Sequence, residues 1–174
     1  MKDNRRNSGM LYKGVVGIII VALILGGYIA TLNNKNDIKK KYCDLEWLAA
    51  EENHFQYKNR QVVESDENSV SIDFEMSGID TIAEITVRDS SEIEFECSSQ
   101  VSNGRAKVIL VSESKEIVDI CEGTVDITKM IPLEKGTYRI RLVGDNAAGK
   151  VIFGVEADDR VQVNTISNHI EFNW

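Results

Sequence analysis

The chain has 174 residues, a formal charge of −8, 43% hydrophobic and 28% charged residues, three cysteines and one proline. With an apolar stretch near the start set aside, the remainder suffices for one domain with a real core and is too short for two. Residues 1–32 hold Lys2, Arg5, Arg6 and Lys13 against Asp3, so the rest carries −11, a balance that repels phosphate backbones and excludes nucleic acid as a general partner.

The first element is the uncharged run Gly14 to Leu32, GVVGIIIVALILGGYIATL. About 20 helical residues span a hydrocarbon core of about 30 Å, so residues 14–32 read as a transmembrane helix behind a cytoplasmic stub at 1–13. Basic residues flank both ends, with Lys35, Lys39, Lys40 and Lys41 following the run. An N-terminal anchor led by a basic segment leaves that segment inside, so the reading is a single-pass cell-membrane protein with its C-terminal domain outside. A cleaved signal would have a shorter apolar region and a small residue at −3, where Tyr28 stands before Ile29 and Ala30. Ala22, Gly26 and Ala30 share one helix face at intervals of four, a face through which two copies can associate.

Residues 33–58 form a juxtamembrane stalk. Ile38, Tyr42, Leu45, Leu48 and Ala49 recur at three- and four-residue spacing, which predicts a short amphipathic helix with Asn36 or Asp37 as its cap and Asn53 near its end. From there to the C-terminus (59–174) the period becomes two. Val70, Ile72, Phe74 and Met76 alternate with Ser71, Asp73 and Glu75, and Ile93, Phe95 and Cys97 with Glu92, Glu94 and Glu96. Asn103-Gly104 is a turn signal, and Val108 onward, Ile117–Cys121, Val125–Ile127, Tyr138–Leu142 and Val151–Val155 read as further strands. Val161 to Trp174 supplies one or two edge strands, and Pro132 is placed in a connection. Some eight short strands with clean alternation predict a mainly β domain, an antiparallel jelly-roll-like β-sandwich, with Ser98–Arg105 and Gly144–Gly149 as exposed loops between paired strands.

The segment Leu133-Glu-Lys-Gly136-Thr137-Tyr138-Arg-Ile140-Arg-Leu142 resembles the L-x-x-G-x-Y-x-I-x-L strand of small extracellular bacterial sandwich modules, such as pre-peptidase C-terminal domains and some carbohydrate-binding jelly-rolls. The resemblance extends over Leu133–Glu156. It implies a sandwich in which Gly136 ends a turn and Tyr138 begins an inward-facing strand, and it brings no ligand and no cofactor with it. No catalytic domain is attached, and no acidic metal-binding loop is recognisable.

Few constellations carry chemistry. Gly144 to Lys150 has the G-x-x-x-x-G-K spacing of a phosphate loop, but Val151 replaces the hydroxyl residue and a strand pattern follows instead of a helix. Cys97 and Cys121, in strands read as neighbours, are either bridged or two buried thiols, and Cys43 on the stalk is a position for joining two copies. His54 and His169 lack the setting of a nucleophilic pair or a zinc site. Acidic runs at Glu64–Asn68 and Asp158-Asp159 are candidate calcium ligands without a recognised loop spacing, with Asp66, Asp158 and Asp159 foremost; Asp73 and Glu75 read as a solvated face. Among Trp47, Tyr57, Phe74, Tyr138, Phe153, Phe172 and Trp174, the strand pattern puts Phe74, Tyr138 and Phe153 in the core, and Trp174 seals it in step with Phe172 and Ile170. No metal, cofactor or catalytic set is assigned. The expected function is a non-enzymatic, membrane-anchored binding or scaffolding module acting through protein contacts. The alternative is a module that recognises neutral cell-wall glycan through exposed aromatics.

Overall fold

The computed structural model describes residues 38–65, 68–156 and 159–165. All belong to the second of two units into which the chain divides, 38–174. The run Gly14–Leu32, the basic stub and the Ala22/Gly26/Ala30 face lie outside the described residues. Among the described residues no helix is long and apolar enough to cross a membrane.

Seven strands make one antiparallel sheet: β1 (His54–Ser65), β2 (Ser69–Val87), β3 (Ser91–Ser112), β4 (Ile117–Glu122), β5 (Val125–Leu133), β6 (Gly136–Glu156) and β7 (Val161–Thr165). Three of them are far longer than the sequence pattern predicts, at 19, 22 and 21 residues for β2, β3 and β6. β6 pairs with β2 from Ser69↔Gly154 to Val87↔Gly136, and with β3 from Glu94↔Glu156 to Ser112↔Tyr138. β6 keeps these two neighbours throughout, whereas β2 and β3 each take a different outer neighbour on each half. One half runs β1-β2-β6-β3-β5 and the other β7-β2-β6-β3-β4. The sheet is folded over its own middle, so that the two halves become the layers of a sandwich. Side chains from both halves share one core, including Ile72, Phe95, Ile131 and Phe153 from the first and Ile85, Leu110, Ile120 and Ile140 from the second. Each fully buried Ile, Leu or Phe there contributes roughly 1.5–3 kcal/mol.

The fold line explains where the sequence pattern misled. Ser98–Arg105 and Gly144–Gly149 are not loops; they lie within β3 and β6, where the strands bend. Register shifts flank Asn103 on β3 and separate Met76 from Gly78 on β2. Such irregularities bend a strand without ending it. Gly104 has φ +66° and Gly78 φ +124°, and a Cβ on Gly78 would stand 2.0 Å from the His54 carbonyl oxygen. The Asn103-Gly104 signal therefore marks a bend and not a hairpin. Pro132 is likewise inside a strand, opposite Glu92 on β5, where an edge position lets a residue without an N–H stand.

Cys97 and Cys121 form a disulfide, with Cα atoms 6.5 Å apart. They sit on strands that are neighbours, as the sequence reads them, but Cys121 is opposite Val108 in the ladder and not opposite Cys97. Cys97 is on the first half of β3 and Cys121 on β4, which pairs only with the second half, so the bridge staples one layer to the other.

The N-terminal segment forms a strap on the outer face of the second layer. Helical backbone at 38–41 is followed by the single-turn helix α1 (Leu45–Leu48). Its cap is Asp44, whose Oδ1 accepts from the Glu46 and Trp47 amides; the candidates Asn36 and Asp37 lie outside the described residues. Tyr42, Leu48 and Ala49 pack on Ile79, Ile109, Val111 and Val143, while Leu45 is 68% exposed. Beneath them Arg141 is fully buried. Its Nη1 donates to the Leu48 (3.0 Å) and Ala50 carbonyls, and its Nη2 to the Glu52 carbonyl (2.8 Å) and Asn53 Oδ1 (3.1 Å). Arg139 adds bonds to the carbonyls of Ala49 and Ala50. Burial lowers the Arg141 pKa to about 10, which leaves it charged at neutral pH.

Two stability outcomes follow. Gly78→Ala is expected to lower unfolding free energy by about 3 kcal/mol, since it combines a glycine-only φ with a backbone clash; urea denaturation reads this directly. Replacing Cys97 and Cys121 together by Ala opens a loop closed over a separation of 24 residues and is expected to remove about 3 kcal/mol by the chain-entropy estimate, measured by the same titration.

Candidate functional site

The layers part at the end opposite the fold line, and there two connections border a cleft of about 380 Å³. Its floor is Leu110, Val118 and Leu133, core-packed side chains near the end of β3, the start of β4 and the end of β5. Tyr138 forms a wall. Its ring packs against the core, and its hydroxyl donates to the Glu134 carbonyl at 2.9 Å, which fixes the ring's position. Burial raises the Tyr138 pKa, so the phenol stays protonated at neutral pH.

The rim comes from the β3–β4 and β5–β6 turns. Ser112 organises the first: its Oγ accepts the Glu116 amide at 3.0 Å, its carbonyl accepts the Lys115 amide at 3.0 Å, and Lys115 takes φ +68°. Glu113 and Glu116 make no ion pair among the described residues. On the second turn Ser90 Oγ donates to Glu134 Oε2 at 2.6 Å, tying the β2–β3 connection to the rim. A second cleft of about 340 Å³ adjoins the first through Glu113 and Thr137 and runs along the strap, where Glu51, Glu84, Lys115 and Arg139 line it. Volumes of this size fall in the small-ligand range.

Of the aromatic candidates, Phe74 and Phe153 are core, and Trp47 packs against the strap's apolar cluster. Phe55 and Tyr57 lie half-buried with rings tilted by 55°. Among the described residues no exposed coplanar pair of rings exists; Phe172 and Trp174 lie outside them. Tyr138 lines the first cleft. His54 is exposed with its imidazole 3.6 Å from Glu52, and His169 lies outside the described residues. Asp66 and Asp158 also lie outside them, while Asp159 sits in the turn before β7, its carbonyl accepting from Arg88. Among the described residues no group of three His, Cys, Asp or Glu side chains is placed to hold a metal. Cys43 is free and exposed. Glu113, Glu116, Glu134 and Lys135 escaped the sequence reading because the cleft joins turns that are far apart in the chain. Their one local signal was the acidic, hydroxyl-rich stretch Ser112-Glu-Ser-Lys-Glu116.

No family model matches the chain, and no curated protein does. Solved structures similar to it include a family 29 carbohydrate-binding module mutant complexed with cellulohexaose (8% identity, TM-score 0.36, covering 67% of this chain and 87% of that one). A family 35 carbohydrate-binding module from an environmental isolate matches at 12% identity and TM-score 0.30, over 66% and 83% of the two chains. A family two carbohydrate esterase from Cellvibrio japonicus matches at 17% identity and TM-score 0.31, over 67% of this chain and 32% of that one. Likeness at this level assigns neither a family nor a ligand. Neither of these modules is a pre-peptidase domain; of the resemblance carried by Leu133–Glu156, the structure bears out a small β-sandwich in which Gly136 opens β6 and Tyr138 packs against the core.

One buried group near the fold line titrates abnormally. Asp80 Oδ2 accepts from the Tyr57 hydroxyl at 2.8 Å and lies 3.5 Å from Arg60 Nε, with both charged side chains nearly buried. Burial raises the Asp80 pKa above its ordinary 3.8 and outweighs the opposing pull of Tyr57 and Arg60. The folded protein therefore holds this proton more tightly than the unfolded chain. The Asp80 contribution is most favourable below pH 3.8 and declines as pH rises through the folded pKa. Urea midpoints recorded from pH 3 to 8 are expected to show the wild type losing ground to Asp80→Asn as the pH rises.

Proposed function

We propose that this protein is a non-catalytic binding module, held on the outer face of the cell membrane by Gly14–Leu32, and that it takes carbohydrate in the end cleft. One observation carries the reading: a single fixed tyrosine ring stands over an apolar floor and is rimmed by carboxylates and serine hydroxyls. A pyranose offers the complement, an apolar C–H face for the ring and outward hydroxyls to donate to Glu113, Glu116 and the serines. A flat aromatic platform for a crystalline polysaccharide has no support among the described residues, so a chain end or short segment suits the cleft better.

The reading as a protein-contact module has its own support. β5 is an edge strand with Ile127 36% and Met130 48% exposed, an arrangement open to strand addition. Charged Glu94, Glu96 and Glu156 interrupt the apolar surface beside it, which speaks for the cleft.

Full-length protein in nanodiscs, tested on an oligosaccharide array and then by calorimetry, separates the two. Binding is expected to fall roughly tenfold or more in Tyr138→Ala. Retention of no glycan, together with repeated in-cell crosslinking of one protein to β5, would retire the carbohydrate reading.

A further inference from the structure

Asn103-Gly104 is the sole Asn-Gly pair in the chain, and the fold line holds it loosely. The ladder between β3 and β6 passes from Asn103↔Ala148 to Arg105↔Asp145, skipping Gly104 on one strand and Asn146 and Ala147 on the other. β5 accompanies β3 only as far as Ser99, and β4 only from Lys107. Thr124 bonds to Val101 and Gly123 to Ala106, one on either side of the gap. From 102 to 105, β6 is therefore the one neighbouring strand among the described residues. Asn103 and Gly104 are both exposed, and Asn103 Nδ2 donates to the Asn146 carbonyl at 3.1 Å. The glycine is obligatory. At φ +66°, a Cβ on residue 104 would stand 2.2 Å from the Asn146 carbonyl oxygen and 2.4 Å from that of Asp145.

We propose that Asn103 is a modification site, where the side-chain amide is lost spontaneously to give aspartate and isoaspartate, and that the fold line loosens as this happens. With no Cβ beside it, the Gly104 amide nitrogen is the least hindered nucleophile that a following residue can present. The open side of the gap leaves the pair room to rotate into reach. The Gly104 nitrogen bonds to Asn103 Cγ, the Cγ–Nδ2 bond breaks, and ammonia departs with the proton of the Gly104 amide. Water then opens the five-membered imide at either carbonyl, its hydroxyl going to carbon and its proton to nitrogen. One opening leaves aspartate; the other routes the main chain through the side chain of residue 103. Aspartate sets an acceptor where Nδ2 donated, so two acceptors face each other at the Asn146 carbonyl. Isoaspartate lengthens the bend by one carbon. Both unsettle the segment through which the two layers share their register.

The test is made on full-length protein in nanodiscs held for days at mildly alkaline pH, beside the same chain unfolded in urea. Cleavage after Arg88 and Arg105 leaves Asn103 as the sole asparagine of its peptide. Mass spectrometry of that peptide reads the conversion, and isoaspartyl methyltransferase labelling reads the isomer. Conversion in the folded protein is expected within about tenfold of the unfolded rate and ahead of every other asparagine between residues 38 and 165. A folded rate more than about a hundredfold below the unfolded one, or earlier conversion elsewhere in that range, overturns the site. The consequence is read separately by urea midpoints. Asn103→Asp is expected to fall below Asn103→Ala, which removes the donor without adding an acceptor. An Asn103→Asp midpoint equal to or above that of Asn103→Ala overturns the loosening.

Discussion

A single sheet bent over its own middle sets everything else in this domain. Two separate sheets would need only side-chain packing between them, but here β2, β3 and β6 run through both layers and commit each to the register of the other. The bend must absorb a sharp change of direction without losing the ladder, which is why residues with left-handed or otherwise irregular backbone gather at Gly78, Gly104 and Asn146. The disulfide and the shared core then hold the halves at the spacing that the bend permits. The open end is a consequence: strands joined at the fold line are free to part at the other end, where the β3–β4 and β5–β6 turns rim the cleft.

The two outer faces are treated differently. The second layer's face carries Arg139 and Arg141, whose guanidinium groups point at a run of backbone carbonyls, and a strap supplies those carbonyls from Leu48 to Glu52. The strap both covers Arg141 and supplies the carbonyls that satisfy its charge, so burial and pairing come together. The strap is thus part of the domain, and β1 continues from it at His54, ahead of residue 59. Among the described residues the first layer's face has no such cover, and it carries Glu92, Glu94 and Glu96 in a row on β3. The second cleft runs beside the strap, lined by Glu51 of the strap and by Arg139 of β6, which holds the strap.

Alternation of apolar and polar residues was enough to read the β class, the antiparallel pairing and most of the core, because burial on one face of a strand imposes a period of two. Ile72, Phe95 and Phe153 stand where that period puts them. Strand length was not legible. Asn-Gly and Gly-rich pairs read as hairpin turns in isolation, and only the continuous partner strand, β6 beside Asn103 and Gly104, shows that the ladder carries through. Alternation puts Arg139 and Arg141 on the side opposite Ile140 and Leu142, and a sequence does not reveal that a distant helix covers that face. The cleft shared this fate. Tyr138 was noticed as a packing residue, but its neighbours Glu113, Glu116 and Glu134 come from turns that meet only when the sheet has folded over.

The central position of β6 also dictates the order in which the domain can assemble. Ser69 pairs with Gly154 and Glu94 with Glu156, and β2 and β3, though consecutive in sequence, do not touch as strands until β6 lies between them. A chain emerging from the ribosome therefore holds β1 to β5 as fragments with exposed edges and no complete layer. Closure waits for the last long strand. Pairings this distant along the chain fold slowly and leave apolar edges open meanwhile. The acidic rows on β3 keep one face of those waiting strands charged, which discourages them from pairing with strands of another molecule before β6 arrives.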